Sequence, residues 1–244
     1  MGTSSARRGP TGRLWRLAKG AATRYLSPGN AAAVEAREVA ARYVAALGEA
    51  GEPGSAGALA ALRLTRKVAQ NLGAFGCQVD TEGWPAALDA LGIRDLPAEP
   101  AALAQFLSTV PGAPGGGLEE AVAHTALVGV LLKLPEPGPS ASAPGAPWLV
   151  GRFLSSAFHL RLNLDLGESL EAAAPGFVPL RQGLEQIAAC ISLAVESGRP
   201  QVVQAPRTPE HWLGLPGWTW VTETMAALLS HLTSAPGSAD CIGY

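Results

Sequence analysis

About seven or eight stretches of this chain repeat their apolar residues at intervals of three and four, and proline or glycine breaks the chain between them. Residues spaced that way share one face of an α-helix. Proline lacks the N–H that continues a helix, and glycine loses the most backbone freedom inside one, so both mark the ends. The clearest stretch places Ala36, Val39, Ala40, Tyr43, Val44 and Leu47 on one face, with Glu38 and Arg42 four apart on the other. A second puts Leu64, Val68, Leu72 and Phe75 toward a core and turns Arg63, Arg66 and Lys67 outward. Pro85 and Pro100 suit the first turns of shorter helices carrying Leu88 and Leu91, then Leu103, Phe106 and Leu107.

Residues Leu118 to Leu134 are apolar around most of the helical circumference, which predicts the central buried helix. Leu180, Leu184, Ile187, Ile191 and Val195 mark another face. Thr208-Pro209-Glu210 is a start signal, and Val221, Met225, Leu228, Leu229 and Leu232 line the last helix. The expected fold is all-α, an irregular bundle of mostly short helices with Pro/Gly-rich loops. One segment stays open: Leu160, Leu162, Leu164 and Leu166 alternate with polar residues at a strand's period of two, yet leucine favours helix. The expected divisions are a basic leader at 1–29, a helical part at 30–134, a Pro/Gly/Ser/Ala linker or loop at 135–147, a second helical part at 148–234, and a tail at 235–244.

Alanine, glycine and proline supply 94 of the 244 residues, and glycine shows no three-residue period, which excludes a collagen. The longest apolar run, Ala126 to Leu132, falls far short of the ~20 residues of a membrane span. Cys77, Cys190 and Cys241 are odd in number and far apart, so a reducing compartment is expected, with Cys190 a core residue among Ile187, Ala189 and Ile191. The net charge of -2 divides into +6 over residues 1–34 and -8 over the rest. An acidic body without a basic stripe argues against nucleic acid as the partner.

The basic leader admits three readings. Leu14, Leu17, Ala18, Ala21 and Tyr25 form an apolar helix face opposed by Arg13, Arg16, Lys19 and Arg24. An acid-free amphipathic leader with Arg24 three residues ahead of Ser27 fits a mitochondrial targeting segment. Gly2 with Arg7 and Arg8 approaches a myristoylated, membrane-surface anchor in a cytoplasmic protein, although Ala6 stands where a hydroxyl residue is expected. The third reading is a plain surface helix.

Chemistry-bearing motifs are sparse. Gly115-Gly116-Gly117 precedes a helix, but no Lys-Ser/Thr follows, and Glu119 and Glu120 oppose an anion there. His124, His159, His211 and His231 lack the spaced partners of a metal site, so neither metal nor cofactor is expected. His159 and Asp165 would share a face on a strand but not on a helix. No nucleophile elbow is present. Trp212, Trp218 and Trp220 fall within nine residues and are candidates for a partner or apolar-ligand contact, or else filler for an alanine-rich core. The favoured reading is a non-catalytic helical interaction protein, an adaptor or assembly factor with a protein partner. The alternatives are a carrier of an apolar ligand or lipid, and an enzyme built from Asp165, Glu168, Glu171, His159 and His211.

Overall fold

The computed structural model describes residues 11–27, 34–50, 55–92, 100–109, 117–133, 145–198 and 204–234. Among them are eleven α-helices and no strand: α1 (Arg13–Leu26), α2 (Ala36–Leu47), α3 (Ser55–Ala61), α4 (Arg63–Glu82), α5 (Trp84–Asp89), α6 (Pro100–Ser108), α7 (Leu118–Leu131), α8 (Ala146–Ala173), α9 (Phe177–Ser197), α10 (Pro209–Leu213) and α11 (Leu215–Thr233). A short 3-10 turn, Gly48–Ala50, follows α2. None of these helices is long and apolar enough to cross a membrane.

The axis of the bundle is α8, not α7. With 28 residues α8 is about 42 Å long at 1.5 Å per residue, and α1, α4, α7 and α9 all pack around it. The segment 160–166 lies inside this helix. Leu162 and Leu166 are four apart and fully buried, while Leu160 is half-buried and Leu164 is exposed. A helix enclosed on most sides carries leucines at every offset, so a period of two appears without any strand. On α7, by contrast, Leu132 just past the helix is 63 % exposed and Val128 is half-buried.

The turn 174–176 folds α9 back antiparallel to α8, and the Ser155 and Ser192 hydroxyls meet at 2.9 Å across the pair. The other side of α9 rests on α2 and α11, and α11 closes over α4. Small residues let these helices approach. A Cβ at Gly76 would sit 2.9 Å from Ala146 Cα and Leu149 Cδ1, and one at Gly183 would sit 2.6 Å from Leu26 Cδ2. The space between the small residues is filled by Tyr43, Phe153, Phe158 and Trp212, all fully buried.

Three helices begin on carboxylates supplied from far along the chain. Glu49 accepts from the N–H groups of Leu14 (3.1 Å) and Trp15 (3.3 Å) at the start of α1. These bonds hold its carboxyl below the usual range, and nearby Arg16 adds to the effect. Glu119 accepts from Thr65 N at 2.8 Å at the start of α4, and Asp80 from Ala146 N at 3.1 Å at the start of α8. Each satisfies an otherwise orphan N–H at the positive end of a helix.

Candidate functional site

The tryptophan segment forms a sealed joint. Thr208 accepts from His211 N and Pro209 opens α10, as the start signal predicts. Gly214 then breaks the chain before α11. Trp212 is fully buried, edge-on to Trp220 with ring centroids 5.2 Å apart. Both glycines beneath it are required by space: a Cβ at Gly73 would enter the Trp212 ring, and one at Gly217 would enter the Trp212 carbonyl. Trp218 is half-buried under Arg66, whose guanidinium carbon lies 4.5 Å from the ring centroid.

Arg66 therefore does not face outward as its helical position predicts. It is 7 % exposed, donating to Thr222 Oγ1 (2.9 Å) and to the Leu59 carbonyl (3.0 Å). Stacking and two hydrogen bonds offset the cost of burying the cation. At this joint two apolar side chains stay out, Leu213 (53 % exposed) and Leu215 (75 %), and on α6 Phe106 is 54 % exposed. One turn of α4 ties their supports together, because Gln70 Nε2 donates to the Gly214 carbonyl (2.7 Å) and Asn71 Nδ2 to the Leu107 carbonyl (3.0 Å).

The basic helix α1 is docked on its neighbours. Its buried residues are Trp15, Ala18, Ala21 and Ala22, so the apolar face is rotated from the predicted one and Leu17 is exposed. Trp15 packs edge-on to Tyr43 at 5.8 Å, and Tyr25 donates to Gln186 Oε1 at 2.7 Å. Arg13, Arg16 and Arg24 are exposed, and Lys19 is half-exposed with contacts of its own. A cut near Ser27 would remove Trp15 and three buried alanines from the core. Gly2, Arg7 and Arg8 lie outside the described residues, as do Gly115, Gly116, Cys241, residues 135–144 of the expected linker and the tail 235–244.

The five residues considered for catalysis occupy separate places. Asp165 is buried and accepts from Tyr43 Oη (2.9 Å) and Arg161 Nε (2.8 Å). Burial foremost, and then the Asp165 charge, raise the Tyr43 phenol well above its ordinary value. His159 lies on another face of α8, with Nε2 3.1 Å from Asn163 Nδ2. Glu168, Glu171 and His211 are exposed. Cys190 is half-buried against the core rather than within it, and burial pushes its thiol up.

A groove that the sequence reading did not nominate runs over the outward face of α8. Trp148, Arg152, Ser155, Ser156 and His159 stand at intervals of four, three, one and three on its floor, with α7 and α9 as walls. It encloses about 290 Å³. The spacing is a helical stripe visible in the sequence. The walls are not visible there, since Gly129 comes from α7, Lys133 from the turn just after it, and Ala188 and Ser192 from α9. Burial pulls His159 below the ordinary histidine value, only partly opposed by a hydrogen bond to the Leu184 backbone. Comparison with protein-family models, curated proteins and solved structures finds no match to this chain.

Proposed function

We propose that this protein is a non-catalytic helical interaction module, an adaptor or assembly factor whose partner is a protein. The observation that supports this reading most is the apolar corner at Leu213 and Leu215. Single exposed leucines are ordinary on any surface. Here two of them flank Gly214 on a backbone held rigid from below by buried Trp212, by Gly73 and by the Gln70 bond to the Gly214 carbonyl. A pre-organised apolar pair loses little entropy on binding, which makes it a suitable anchor.

The partner accordingly presents a shallow apolar pocket or the apolar face of a helix. The test is co-purification from the cells that make the protein, comparing wild type with a Leu213→Glu/Leu215→Glu variant. Burying each leucine is worth about 1.5–3 kcal/mol, so recovery of the bound protein should fall at least about tenfold. The variant should retain the wild-type melting curve, because neither side chain supports the core. Equal recovery of the same proteins with both forms would refute the reading.

A further inference from the structure

The groove over α8 carries two cations and no carboxylate on its lining. Lys133 enters from the end of α7 and Arg152 from the floor, and no described residue forms an ion pair with either. Arg152 is positioned by Trp148, its guanidinium carbon 5.8 Å from the ring centroid. Glu196 lines an adjoining depression together with Arg152, Ser155 and Ser192 and forms no ion pair with Arg152. Two positive groups around one concavity repel each other, and an anion seated between them turns that repulsion into attraction on both sides.

Hydroxyl donors complete the lining. Ser155 is 8 % exposed and shares a 2.9 Å hydrogen bond with Ser192. In such a pair one hydroxyl donates to the other, which leaves the second hydroxyl's proton free to turn into the groove. Ser156 stands beside them. His159 closes one end with its Nε2 already engaged by Asn163. On the opposite wall Gly129 keeps the space open, since a Cβ there would meet no atom within 4 Å.

A guanidinium fork, an ammonium and free hydroxyl protons exceed what the two oxygens of a carboxylate can accept, and they suit the three terminal oxygens of a phosphate monoester. The volume is that of a small ligand pocket. Val130, Ala188 and the Trp148 ring supply apolar wall for the remainder of the molecule. From this we infer that the groove over α8 binds a small phosphate ester, its phosphate held by Arg152, Lys133 and the serine hydroxyls. This site stands apart from the apolar corner at Leu213 and does not depend on it.

The test is calorimetric titration of the full chain with glycerol 3-phosphate, inorganic phosphate and malonate. The expected result is saturable one-to-one binding of the ester, weaker binding of inorganic phosphate, and weaker still of malonate. Arg152→Gln and Lys133→Gln should each weaken the ester about tenfold, the worth of a charge-assisted hydrogen bond. Gly129→Leu, which fills the groove where nothing stands in its way, should block binding while the far-ultraviolet spectrum stays helical and the melting temperature holds or rises. Absence of saturable ester binding overturns the inference, as does affinity that survives all three substitutions. Malonate binding as tightly as the ester overturns the phosphate assignment, and inorganic phosphate doing so overturns the ester.

Discussion

The joint where α4, α10 and α11 meet and the groove over α8 treat a helix contact in opposite ways. At the joint, glycines at 73 and 217 remove every atom that would stand between the backbones and Trp212, and the indole fills what they vacate. In the groove a glycine again faces a helix, but Gly129 has nothing opposite it, and α8 presents Arg152, Ser155, Ser156 and His159 where aliphatic side chains would seal the gap. The same small residue closes one contact and opens the other. A single leucine at 129 would bury more apolar surface, so the open groove is not what stability alone would select.

The comparison breaks first at the joint. Trp212→Ala should cost about 3–5 kcal/mol in urea unfolding, the range for truncating a fully buried aromatic whose site collapses only partly. A cost below about 1 kcal/mol would mean that the joint is slack and the contrast unfounded.

That joint also shows how far the sequence could be read. The helices of α2, α9 and α11 were legible because each buries one stripe at helical period, and the Thr208 cap was legible because donor and acceptor are three residues apart. The buried Arg66 was not, since its burial depends on Thr222 and Trp218, which only the placement of α11 brings near. The same reason hides the carboxylates that start α1, α4 and α8, which lie 35, 54 and 66 positions from the N–H groups they bind. On α1 the wheel favours Leu17 over Trp15, whereas in the fold Trp15 packs edge-on against Tyr43 and Leu17 is left exposed. For the groove, the floor was written in one helix and the walls in two others.

A smaller effect sharpens the groove side. Burial holds the folded-state His159 value below the ordinary histidine range. As pH falls through about 6.5, the unfolded chain takes up a proton that the folded chain resists, so stability declines with falling pH. His159→Gln should flatten that decline between about pH 7.5 and pH 5.5, read from urea midpoints. An unchanged slope would show that His159 is not held neutral by its place in the groove.

Native-state hydrogen exchange compares the two regions most directly. If the joint is the sealed part of the molecule and α7 a wall with one free side, amides from Gly73 to Cys77 and from Val221 to Met225 exchange only with global unfolding. Amides from Thr125 to Val130 then exchange by local opening at lower free energy. Protection of the α7 amides equal to that of the joint, or earlier opening of the joint, would contradict the account.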